Sequence, residues 1–119
     1  MVKSINPPIF KDYGHLLENI IFIHLRRKTE DIFYYRTLKR TEVDYLWIDK
    51  QYQKNLLQVS LTIKDSNTRK REVKSLLEAM SELSIDKGVI ITLDEKELIQ
   101  NGKQKIDVIP AWKYLLNGL

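Results

Sequence analysis

Residues Glu42 to Ile63 read EVDYLWIDKQYQKNLLQVSLTI. Two runs of β-branched and aromatic residues, Glu42–Ile48 and Leu56–Ile63, flank a polar link, Asp49–Asn55, short enough for an antiparallel connection. Side chains alternate across a strand. In the first run Val43, Tyr45 and Trp47 are expected on one face, with Glu42, Asp44 and Leu46 on the other. In the second run Leu57, Val59, Leu61 and Ile63 share a face, opposite Leu56, Gln58, Ser60 and Thr62. The pair thus joins an apolar face to a face with Asp44, Gln58, Ser60 and Thr62 near its middle. Such alternation is also what a solvent-facing sheet surface gives.

Outward from this pair, Ile32–Arg36 reads as a preceding strand, linked through Thr37–Thr41. Before it, Tyr13, Leu16, Leu17, Ile20, Ile21 and His24 follow the spacing of one helical face, predicting a helix from Asp12 to Lys28. Pro7 and Pro8 predict an extended arm over residues 1–11, followed by a single domain over 12–119. On the other side, Val73, Leu76, Leu77 and Met80 form the apolar stripe of a second helix, Thr68–Leu83, with Ser66 and Asn67 as cap chemistry. Val89–Leu93 then reads as a buried, parallel strand. Lys105–Ile109 reads as a last strand after an Asn101-Gly102 turn, and Pro110 opens a short helix over Ala111–Leu116. The expected order is α-β-β-β-α-β-β-α, an α/β (α+β) domain with a mixed sheet flanked by helices.

The chain has 119 residues, 43% hydrophobic and 30% charged, with a net charge of +4, which excludes a disordered tail and points to one domain. It has no cysteine, so there is no disulfide framework, thiolate zinc site or cysteine nucleophile. The longest apolar run, Ile20–Ile23, is far short of the roughly 20 residues a membrane span needs. With Pro7-Pro8 where a signal peptide needs an apolar core, the expected location is the cytoplasm and no membrane partner is expected. The four glycines are isolated, so no phosphate loop of the ATPase type is present. Lys64–Lys74 carries five basic residues against two acidic ones. Arg69, Lys70, Arg71 and Lys74 there are candidate nucleic-acid contacts at a helix N-terminus, where free N–H groups favour phosphate; a solvated charged turn has the same composition. Tyr45, Trp47 and Trp112 are rings able to stack on bases or to fill a core.

An ordered set of segments resembles the C-terminal domain of a family of microbial AAA-type ATPases. These are Gly14-His15-Leu16-Leu17-Glu18-Asn19, Tyr34-Tyr35-Arg36, Glu42-Val43-Asp44-Tyr45, Leu57-Gln58-Val59-Ser60, Thr68-Arg69-Lys70-Arg71-Glu72-Val73 and Ile109-Pro110-Ala111-Trp112. That domain is similar to the restriction-endonuclease-like, PD-(D/E)XK superfamily, whose core order is α-β-β-β-α-β. The resemblance implies a site in which Glu18, Asp44 and Gln58 take the metal-binding positions, for Mg²⁺. Ser60 falls where the catalytic lysine stands. Neutral Gln58 holds a cation less well than a carboxylate, and Ser60 offers no positive charge to a developing phosphorane. The resemblance therefore implies a degenerate nuclease fold, a nucleic-acid-binding or regulatory accessory to an ATPase domain in the same or another chain. The alternatives are an active Mg²⁺-dependent nuclease and a protein-interaction or homo-oligomerisation module.

Overall fold

The structure, a computed structural model, describes residues 7–117. The element order is α1 (Pro7–Arg26), β1 (Ile32–Arg36), β2 (Glu42–Ile48), β3 (Lys54–Val59), α2 (Ser66–Leu83), β4 (Lys87–Thr92), β5 (Glu97–Asn101), β6 (Gln104–Pro110) and α3 (Ala111–Asn117). One six-stranded mixed sheet runs β1-β2-β3-β4-β6-β5. β3–β4 and β4–β6 pair in parallel; the other pairs are antiparallel.

The sheet is covered on both faces, so each central strand contributes to two cores. Leu76, Ala79 and Met80 of α2 pack with Val43, Leu56, Ile90, Ile106 and Val108 on one face. Leu17, Ile21 and Leu25 of α1, with Ala111 and Tyr114 of α3, pack with Leu57, Val59 and Ile91 on the other. That is why β4 reads as an unbroken apolar run: Ile90 serves one core and Ile91 the other, both fully buried. Each such side chain contributes about 1.5–3 kcal/mol through burial. Among the described residues, no helix is long and apolar enough to cross a membrane.

Four expectations need correction. The extended arm does not reach residue 11, because α1 begins at Pro7. Proline lacks an N–H that a first helical turn leaves unbonded anyway, and its fixed φ suits that turn. Residues 1–6 lie outside the described residues. The third strand stops at Val59 rather than Ile63. Beyond it Glu95 takes the Thr62 hydroxyl and the Ile63 N–H, drawing the chain out of the ladder. A sixth strand, β5, was not anticipated, so the order gains one β. It is an edge element whose Leu98 is exposed, and it pairs with β6 through the expected Asn101-Gly102 turn, where Gly102 has φ +62°. Finally, the N-cap of α2 is Asp65, whose carboxylate accepts from the Thr68 N–H at 2.9 Å. Asp65→Ala is expected to cost about 1 kcal/mol, read as a lower urea midpoint at unchanged slope.

His24 and Tyr114 pack edge to face with centroids 5.4 Å apart, between α1 and α3. His24 Nε2 and the Tyr114 hydroxyl are buried there without hydrogen-bond partners among the described residues. Burial, with Lys28 and Arg27 nearby, holds the His24 pKa below its usual value.

Candidate functional site

The site begins with an irregularity in β2. Phe33 of β1 lies opposite Leu46 of β2, but Tyr35 lies opposite Val43. Two steps on β1 therefore span three on β2, and the extra residue falls at Asp44–Tyr45, as in a β-bulge. Val43 consequently joins the α2-side core while Tyr45 and Trp47 lie against the α1-side core. The expectation that all three share a face fails at this bulge.

The β2–β3 ladder also ends here, with Tyr45 opposite Leu57. Side chains take over from backbone. The Asp44 N–H donates to Gln58 Oε1 at 2.8 Å, and Gln58 Nε2 donates to the Glu42 carbonyl at 3.0 Å. The Val59 N–H donates to Asp44 Oδ2, also at 2.8 Å. Gln58 is 1% exposed. Its amide supplies both the acceptor and the donor that the separated strands lack, as buried backbone groups require.

Asp44 sits at the junction of two cavities. One, of about 320 Å³ on the α2 side, also has Gln58, Glu72, Arg71 and Arg40 in its lining. The other, of about 380 Å³ on the α1 side, is lined by Glu18 and by the rings of Phe22, Phe33, Tyr34 and Tyr45. The Tyr45 hydroxyl donates to the Glu18 carbonyl at 3.2 Å, tying α1 to β2. Burial raises the Asp44 pKa to about 6 against the hydrogen bond from Val59, and repulsion from Glu18 and Glu42 adds to it. Burial likewise raises Glu72 to about 7, with repulsion from Asp44 and Glu18 outweighing what Arg71 offsets. Two carboxyl groups poised near neutrality are suited to exchanging protons rather than to holding fixed charge.

The sequence-derived site residues are only partly brought together. Asp44 is shared, but Glu18 lines the α1-side cavity and Gln58 the α2-side one. Gln58 Oε1 is already engaged, and among the described residues no group of three or more His, Cys, Asp or Glu side chains is arranged to hold a metal ion. These residues do not fit a strong Mg²⁺ site. Ser60 lies past the end of β3 and donates to the Thr62 carbonyl at 2.9 Å, outside both cavities. Of the basic run, Arg69 is committed to a two-pronged ion pair with Glu97 of β5. Lys70 and Lys74 are exposed and line neither cavity, whereas Arg71 borders the α2-side one. The N-terminus of α2 is occupied by the Asp65 carboxylate, which leaves less of it for a phosphate.

Sequence reasoning missed Glu72 and Arg40. Glu72 was legible as a carboxylate on the helix stripe that continues through Leu76 and Ala79. Arg40 gave no signal. It occupies the β1–β2 turn with φ +68°, and that turn is fastened to α2, where Glu82 accepts from the Leu38 N–H and Glu78 from the Thr41 hydroxyl.

A family model described as a domain of unknown function (DUF4143) matches residues 13–114. The uncharacterized protein MJ1544 of Methanocaldococcus jannaschii is 33% identical over 116 residues, covering 89% of this chain and 25% of the relative. The chain thus spans a quarter of that relative's length. No solved structure matches. The chain belongs to the DUF4143 family.

Proposed function

We propose that this DUF4143 domain is a restriction-endonuclease-like module that binds nucleic acid without cutting it, as an accessory to an AAA-type ATPase. The observation that carries the reading is the use of Gln58. At the position where the resemblance puts a metal-binding acid, the side chain is neutral, buried, and hydrogen-bonded through both ends to β2. A cation there would have to break the bridge that closes the β2–β3 gap. The missing lysine at Ser60 points the same way, since loss of transition-state charge stabilisation removes what is usually the largest catalytic contribution.

Binding is supported by the surroundings. Phe33 is 51% and Tyr34 59% exposed beside the α1-side cavity, rings placed for base stacking worth about 1–3 kcal/mol each. Arg40, Lys70, Arg71 and Lys74 are exposed cations near the α2-side cavity or along the first turns of α2. An active Mg²⁺ nuclease is the second reading, favoured by the one observation that α2 supplies Glu72 beside Asp44.

One assay separates them. Labelled single-stranded and duplex DNA and RNA are titrated by anisotropy over a salt series, then incubated with Mg²⁺ or Mn²⁺. The expected result is salt-dependent binding and no metal-dependent cleavage. Replacing Lys70, Arg71 and Lys74 by Gln should lower the log–log salt slope by about 0.9 per lost duplex contact, or about 0.7 for single strands, with similar loss for unrelated sequences. Cleavage abolished by Asp44→Ala would establish the second reading. No binding at low salt would remove both.

A further inference from the structure

The second face of α1 is apolar and has no partner among the described residues. Leu17, Ile21 and Leu25 bury one face against the sheet. Rotated away from it, Tyr13, Leu16, Ile20 and Ile23 recur at spacings of three, four and three, the period of a helix–helix seam. They are 50%, 53%, 39% and 53% exposed. Leu61 and the 57%-exposed Leu93 form the other wall of a groove of about 580 Å³ beside them. A contiguous apolar groove rimmed by charged residues is the kind of surface that marks an interaction site, as singly scattered apolar side chains do not.

We propose that the groove is filled by α1 of a second copy of this chain, packed antiparallel across a two-fold axis. Leu16 then meets Ile20 of the second copy, and Tyr13 meets Ile23, which repeats each contact by symmetry. The choice of occupant rests on charge. At the N-terminal end of the stripe stand Asp12 and, across the groove, Asp94, with Lys64 on the same rim. The C-terminal end carries Arg26 and Arg27, both exposed. Antiparallel pairing sets each arginine end against the other copy's aspartate end, and parallel pairing sets like against like. Neither Asp94 nor Arg27 has an ion-pair partner among the described residues. A helix of 20 residues is about 30 Å long, which gives an interface at the small end of the specific range and a dimer of micromolar strength. The Asp44 cavities lie off this seam, on the β1–β2 side and under α2, so both stay open in the dimer.

Light scattering coupled to size exclusion, over a concentration series, reads the mass directly. The wild type is expected to pass from monomer to dimer in the micromolar range. Ile20→Glu, at a position already half open to water, should keep its melting temperature and weaken dimerisation at least tenfold. Arg27→Glu should weaken it and Arg27→Glu with Asp94→Arg should recover it, a result that a merely sticky patch does not produce. Because the chain has no cysteine, Ile20→Cys with a short bismaleimide should give a covalent dimer, while Leu98→Cys on the far edge strand should not. A chain monomeric throughout the series, or equal cross-linking at both positions, overturns the proposal and leaves the groove to a segment of a longer polypeptide.

Discussion

Gln58→Glu is expected to destabilise the protein by about 3 kcal/mol at pH 8, although it restores the acid that the nuclease resemblance implies. The substitution keeps an oxygen for the Asp44 N–H but replaces the Nε2 donor by a second oxygen facing the Glu42 carbonyl. One lost buried hydrogen bond leaves an acceptor unsatisfied, about 1–3 kcal/mol by itself. The rest is a carboxylate placed in a 1%-exposed position beside Asp44, whose own proton is already held up to about pH 6. Burial and the like charge both favour the protonated form of the new acid, so the deficit should shrink as pH falls toward 5. Urea unfolding at pH 5 and pH 8, with and without Mg²⁺, checks this. A loss under about half a kcal/mol would mean the amide does not bridge the strands. Full recovery with Mg²⁺ would mean that the pocket needs only this one carboxylate to bind the ion, and would favour an active ancestral geometry retained intact.

Much of the fold was legible because its main signals are local. Ile32–Arg36 and Glu42–Ile48 carry strand-forming residues end to end, and both strands lie where their composition places them. The apolar stripe Val73, Leu76, Leu77, Met80 likewise marks the face by which α2 packs. What failed depends on distant partners. Leu61 and Ile63 continue the alternation of β3, yet the strand ends because Glu95, more than thirty residues on, binds Thr62 and Ile63. No pattern in Glu97–Asn101 overcomes its polarity, since an edge strand buries little.

The site was less legible for a related reason. Alternation placed Asp44 and Gln58 on one strand surface, and the Gln58 amide does reach Asp44, but at its backbone N–H. Their contact, however, is a repair of the backbone at a bulge, and a bulge adds one residue without any composition signature. The same bulge moves Val43 from one core to the other. The charges in the basic run could be counted, but which of them are free could not: Arg69 is spent on Glu97, and Asp65 caps the helix the run was to present. Glu72 sat within that run as one of its two acidic residues, although it is the member of the segment that lines a cavity with Asp44.

Glu72→Gln should have the opposite effect to Gln58→Glu, raising stability by about 2–3 kcal/mol above pH 7.5 and by nearly nothing at pH 4. Burial first, then repulsion from Asp44 and Glu18, lifts the folded pKa from 4.5 to about 7. A carboxyl whose folded pKa is raised stabilises the fold below its unfolded pKa, where both states are protonated. The advantage is lost as pH rises through the folded value, because the unfolded chain can ionise the group first. At about 1.4 kcal/mol per unit, a shift of this size accounts for the expected gain, which is kept below the full conversion because the side chain is 15% exposed. Asp44 is shifted in the same direction, from 3.8 to about 6, so wild-type stability should decline from about pH 4 to pH 7 as both groups ionise. Glutamine has the same shape as the protonated acid, leaves Arg71 exposed, and removes the larger of the two contributions. Guanidinium unfolding at half-unit pH steps from 4 to 8 gives both curves. If Glu72→Gln is the less stable protein at pH 8, the carboxylate is held by Arg71 more strongly than burial opposes it, and the α2-side cavity is an ion-pair socket. If the gain appears as expected, the chain retains at Asp44 and Glu72 a pair of acids that weakens its own fold at neutral pH.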